Sequence, residues 1–185
     1  MRRLLMFSII ATAIAFPSAG CGDDDPVAHS ETVTLSFSGI KATTIKDGAA
    51  SVEKNINTES GNPYADFVKN ARAALGGHDP SAIELVSATL RVTDGSQSIE
   101  TFDQLYTALD LTLADSASSL VVGHVASPVG ATIVVPLDGE VDYAPFAPTF
   151  LGGDFKVGLT GPTVAAPPDG FELEVEVDLR FTAYE

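Results

Sequence analysis

The sequence predicts a mainly β chain, an antiparallel β-sandwich of seven or eight strands with one helix near 63–75 and a short helix near 102–108. Three observations predict it. Several segments alternate apolar and polar residues with a period of two, the mark of strands with one face on a core. Turn residues punctuate them, including four Asp-Gly pairs at 47–48, 94–95, 138–139 and 169–170. One stretch after Asn62 keeps a helical period instead. A small barrel is the alternative closure for such a set.

The first strand covers Glu31 to Ser38, with Val33, Leu35 and Phe37 on one face and Thr32, Thr34 and Ser36 on the other. The helix follows. Asn62 is a natural N-cap, Pro63 suits the first turn, and Tyr64, Phe67, Val68, Ala71 and Leu75 form one stripe. Lys69 and Arg72 lie toward its C-terminal end, and Gly76-Gly77 stops it. Ile83 to Thr93 reads as a strand with Val86, Ala88, Leu90 and Val92 together. Thr101-Phe102-Asp103-Gln104 has capping-box form and starts the short helix. Leu109, Leu111 and Leu113 alternate with Asp110 and Thr112. Ser119 to Ala126 and Ala131 to Leu137 are apolar runs joined across Pro128-Val129-Gly130, which suits a hairpin. Asp154 to Thr160 is a further short strand.

The last strand is the most regular. From Phe171 to Ala183 every odd position is apolar, and the even positions are Glu172, Glu174, Glu176, Asp178, Arg180 and Thr182. Such alternation belongs to an antiparallel sheet with one wet face. At about 3.3 Å per residue it is long enough to bend or to change neighbours.

The N-terminus carries a different signal. Arg2 and Arg3 precede an apolar run from Leu4 to Phe16, which is too short to span a bilayer, since that takes roughly 20 residues. Small residues follow and lead into Cys21, the only cysteine of the chain. The segment resembles the signal peptide of bacterial lipoproteins, with Ser18-Ala19-Gly20-Cys21 as the lipobox. Ser18 stands where that family prefers leucine. The resemblance implies that residues 1–20 are removed and that Cys21 carries a diacylglycerol anchor. It places the protein in the bacterial cell envelope, and in some lipoproteins an acidic run such as Asp23-Asp24-Asp25 takes part in sorting to the outer membrane or the cell surface. The competing reading is an ordinary signal peptide cut after Ala19, which leaves a free thiol. Residues 21–30 then read as a solvated acidic tether and 31–185 as a single domain.

Without residues 1–20, which hold Arg2 and Arg3 and no acid, 8 basic and 25 acidic residues remain, a net charge of −17. Such a charge argues against nucleic acid, which needs a basic face, and against docking on anionic head groups. Membrane contact is expected through the lipid on Cys21, with another envelope protein or a small ligand as partner. A lipidated Cys21 excludes a disulfide, so the domain relies on its core.

Mechanistic signatures are missing. His29, His78 and His124 are far apart in sequence, and no His-Glu-x-x-His, Gly-x-Ser-x-Gly or phosphate-cradling glycine motif occurs. No cofactor, metal or catalytic residue is assigned. Glu172, Glu174, Glu176 and Asp178 make a conspicuous row, but alternate side chains on a strand stand about 7 Å apart, so the row can give a calcium ion one or two ligands and loops would have to supply the rest; the other reading is a solvated face that blocks edge-to-edge aggregation. The segment Tyr143 to Gly153 holds three aromatic rings among prolines. If the domain binds a ligand, Tyr143, Phe146 and Phe150 are the expected contacts, with Asp142 as a polar neighbour. The alternative is a loop that turns its rings down as a lid on the core. The expected function is a non-catalytic binding or structural module. The alternatives are an envelope hydrolase using a carboxylate pair across a cleft, and a calcium-stabilised adhesion module.

Overall fold

A computed structural model describes residues 27–139 and 141–185. The signal segment, Cys21 and the Asp23–Asp25 run lie outside the described residues. The strands are β1 (Ala28–Lys41), β2 (Ala49–Ile56), β3 (Ala82–Val92), β4 (Leu109–Ala114), β5 (Ser119–Val125), β6 (Thr132–Val135), β7 (Phe155–Pro162) and β8 (Glu172–Tyr184). Two helices accompany them, α1 (Pro63–Ala74) and α2 (Ala147–Gly152). The strands form two antiparallel four-stranded sheets, ordered β1-β8-β3-β6 and β2-β7-β4-β5. The chain changes sheet at every connection except β4 to β5. Eight strands wound in this order make a jelly roll, a form of the antiparallel sandwich.

The alternation read in β8 is the spine of the core. Leu173, Val175, Val177, Leu179, Phe181 and Ala183 are each at most 1% exposed. Burying each large side chain of this kind contributes about 1.5–3 kcal/mol. The strand stays paired on both sides, with β1 from Tyr184 to Glu172 and with β3 from Tyr184 to Val175. Its length is accommodated by two long neighbours rather than by a change of partner.

Four local differences from the sequence reading have physical causes. β1 starts at Ala28, so His29 and Ser30 belong to the strand, held by pairing with Ala183 and Thr182. β2 went unread because Glu53-Lys54-Asn55 interrupts any apolar alternation. It is an edge strand, and Lys54 reaches from it to donate to the Ser36 carbonyl of β1 at 3.0 Å. Val86 does not join Ala88 and Leu90, because a bulge between Leu85 and Ser87 shifts the register. Ile83 and Leu85 are buried in its place, and Val86 is 44% exposed. Finally, β5 and β6 do not form a hairpin. They lie in opposite sheets, and only a bridge between Gly123 and Leu137 joins them.

Helix α1 forms as its sequence dictates. The Asn62 side chain accepts from the Tyr64 amide at 3.0 Å, Pro63 opens the helix, and Tyr64, Phe67 and Ala71 are buried. The short helix near 102–108 is a single 3-10 turn, Phe102–Gln104. The Gln104 carboxamide oxygen accepts from the amides of Thr101 at 3.1 Å and Glu100 at 2.7 Å, so the capping chemistry holds while the helix stops. Asp47-Gly48 is a tight two-residue turn with φ of 52° and 75°, closed by reciprocal 2.9 Å bonds between Lys46 and Ala49.

Three strands of the first sheet, β1, β8 and β3, have 14, 13 and 11 residues, against at most 8 in the second sheet. At about 3.3 Å per residue the first sheet overhangs by roughly 15 Å. The overhang is covered by α1 and α2. The rings of Tyr64 and Phe67 lie 5.2 Å and 5.7 Å from Phe181, and Phe150 lies 5.8 Å from it. This end of the domain is also where Ala28, Ala82 and Tyr184 sit side by side.

A groove between the two helices

The loop singled out in the sequence is the far wall of this end. Prolines 145 and 148 keep it out of the sheets, and it forms a 3-10 turn, Ala144–Phe146, followed by α2. Gly153 ends α2 with φ of 63°. The loop turns its rings inward. Phe146 is 2% exposed and Phe150 is fully buried against Phe155 and Phe181. Tyr143 is half-buried, 6.5 Å from Phe150, and burial pushes its phenol pKa up. Asp142 is exposed. The expected open aromatic patch is therefore absent from the surface, because the overhanging sheet needs these rings as core.

The same segment does border a concavity. A groove of about 680 Å³ opens between α1 and α2. One wall is the polar face of α1, with Asp66, Lys69 and Arg72 at successive three-residue steps, which stack along one side of a helix. The other wall is Leu151 and Gly152. Val68 and Ile83 add apolar surface, and Thr58 and Ser60 bring hydroxyls from the β2–α1 loop. Arg72 Nε donates to Asp79 Oδ1 at 2.7 Å, so these two charges satisfy each other. Lys69 has no hydrogen bond or ion pair among the described residues. The groove thus offers one paired couple, one unpaired cation and one further carboxylate, beside an apolar strip.

The remaining polar groups are arranged structurally. Arg91 on β3 sits between Glu176 at 3.3 Å and Asp178 at 2.9 Å, and Thr34 Oγ1 donates to Asp178 at 2.6 Å. Glu174 and Glu172 continue the row on β8. Among the described residues no group of three or more His, Cys, Asp or Glu is placed to hold a metal ion. His124 Nδ1 lies 2.6 Å from Asp110 Oδ1 on the outer face of the second sheet. The hydroxyl of Thr160 stands on the other side of Asp110, and β5 is an edge strand. His29 is bonded to Glu31 at 3.1 Å and stacks over Phe67, while His78 is exposed in its loop. Asp66 and Asp79 both line the groove, but Asp79 is committed to Arg72.

Lys69 and Arg72 fall on α1 from the sequence alone, which does not by itself show the groove. Its other residues come from segments far apart in the chain, and only the fold brings Thr58, Ile83 and Leu151 together. The one usable signal was the run of charged residues 66, 69 and 72 on a single helical side.

No family model matches the chain, and no curated protein matches it. Among solved structures it is similar to a decameric BFDV capsid protein at 10% identity, over 84% of this chain and 99% of that one, with a TM-score of 0.40. It is also similar to the empty head of turnip yellow mosaic virus at 11% identity, over 100% of this chain and 90% of that one, with a TM-score of 0.28. Neither likeness bears on function. The strand order alone defines the jelly roll.

Proposed function

We propose that this chain is a lipid-anchored protein of the bacterial cell envelope whose jelly roll is a non-catalytic binding module, with the α1–α2 groove as its site. The observation that carries the reading is the position of the groove. It opens at the end of the domain where the chain leaves toward Cys21. Glu185 N donates to the Val27 carbonyl at 3.0 Å, which fixes the chain at that end. Six residues separate Cys21 from Ala28, so an anchor at Cys21 would hold this end within roughly 25 Å of the lipid surface, the reach of an extended chain of that length. The acidic body supports a tethered domain rather than one that adheres by charge.

Two measurements test this. Mass spectrometry of the N-terminal peptide should show diacylglycerol on Cys21, and a free thiol on protein that washes off cells removes the anchor. Pull-down from native membranes should recover a component whose capture is lost on Asp66→Ala/Lys69→Ala. Equal capture by that variant moves the site away from the groove.

A further inference from the structure

We propose that the groove holds the head group of a zwitterionic phospholipid. The inference rests on the anchored reading above and adds the ligand to it.

The charge pattern points to a molecule that carries both signs. Lys69 has no partner among the described residues, and Thr58 and Ser60 bring hydroxyls to the same groove, a set that suits a phosphate. Asp66 stands one helical step away on α1 and suits an ammonium group. A phosphoethanolamine head group carries these two charges across a short ethylene bridge. The Arg72–Asp79 couple is closed and adds no net charge. Leu151, Val68 and Ile83 supply an apolar strip against which the glycerol and the first methylenes can lie. Leu151, on the wall of the groove, keeps 41% of its surface exposed and available to such a ligand.

Charge also selects the surface. A chain of net charge −17 once residues 1–20 are removed is repelled by anionic bilayers, which leaves zwitterionic lipids as those it can approach closely. The groove is at the tethered end, so its ligand need not be extracted far from the bilayer.

The test uses the full lipidated protein in bilayer discs of phosphatidylethanolamine or of anionic phosphatidylglycerol, read by hydrogen exchange. The proposal expects residues 57–61 and 150–153 to exchange at least several-fold more slowly in the zwitterionic discs. Asp66→Ala/Lys69→Ala, which leaves the net charge unchanged, should abolish that difference while the thermal melt stays that of the parent. Leu151→Ala should reduce it. Equal exchange in both kinds of disc overturns the proposal, as does protection that survives the double variant. A further arm adds soluble glycerophosphoethanolamine to protein in the anionic discs. Protection by the soluble compound without protection by phosphatidylethanolamine discs overturns the lipid as ligand. The mass of the N-terminal peptide reports on the anchor separately, so loss of the anchor and an empty groove give different results.

Discussion

Tyr64 Oη donates to the backbone carbonyl of Phe150 at 2.7 Å, with both residues fully buried. One bond thus fastens α1 to α2 beneath the groove. Tyr64→Phe removes the donor, keeps the ring, and leaves a buried carbonyl short of a partner. The expected cost is about 1–3 kcal/mol in chemical denaturation. Amides of 147–152 should also exchange faster than those of β8. An unchanged denaturation midpoint would show that the carbonyl finds another donor.

Burial raises the phenol pKa values of Tyr64 and Tyr106 above their ordinary value. In the unfolded chain both ionise near pH 10, while in the fold they resist ionisation. Their contribution is therefore complete below about pH 10 and is lost as the pH climbs toward the raised folded values. A melting series from neutral to strongly alkaline pH should fall steeply above that point. Tyr64→Phe should make the fall shallower, and an equally steep fall in that variant would exclude Tyr64 as a cause.

At the acid side the group to watch is Asp115. Its carboxylate accepts from the amides of Ala117 and Ser118, each at 2.7 Å, and from Thr149 Oγ1 at 3.0 Å. The two amide bonds hold its pKa below the usual carboxylate value. A lowered folded pKa gives stability that is present above the unfolded pKa and lost as the pH drops through the folded one. The loss therefore begins below about pH 4. Asp115→Asn should narrow the difference in melting temperature between about pH 7 and about pH 3. It should also loosen the β4–β5 turn from α2, visible as faster exchange at Thr149. An identical pH profile would remove Asp115 from the account.

Gly161 on β7 faces Ala50, and a methyl added there would strike the carbonyl oxygen of Ala108. Backbone cannot swing away as a side-chain end can. Gly161→Ala should cost about 1–3 kcal/mol. Gly139→Ala meets nothing within 4 Å and serves as the neutral comparison. Equal melting temperatures for the two variants would mean that the β4 approach relaxes freely.

The bulge in β3 makes a paired prediction. Val86→Lys should leave the melt within a degree or two of the parent, because that position faces water. Leu85→Lys buries a charge and should unfold the domain at moderate temperature. The reverse ranking would restore the unbroken alternation.

Periodicity reported which residues face the core wherever one register runs through a strand, and so β8, β4 and the part of β1 from Glu31 to Phe37 were legible. It reported α1 because Asn62-Pro63 and the stripe through Tyr64, Phe67 and Ala71 agree with one another. It could not report β2, whose outer and edge positions are filled by Glu53, Lys54 and Asn55. It could not see the one-residue shift at Leu85/Ser87, which comes from pairing with β8 and not from local composition. Sheet membership was equally hidden. A short apolar run has the same pattern whether its neighbour continues the sheet or crosses to the other one, which is why β5 and β6 looked like a hairpin. The rings at 146 and 150 are expected as ligand contacts or as a lid on the core; they are buried as a lid, which follows from the unequal strand lengths of the two sheets, a property of the assembled domain.

The bond between Glu185 and Val27 has a mechanical meaning. A pull transmitted from a lipid at Cys21 to anything gripping the opposite loops would enter β1 at its first residue and run lengthwise along its ladder with β8. Those bonds would then be strained in shear, all together, rather than peeled one by one. Under the proposed anchor, the edge strand β1 would thus be loaded in its most resistant direction.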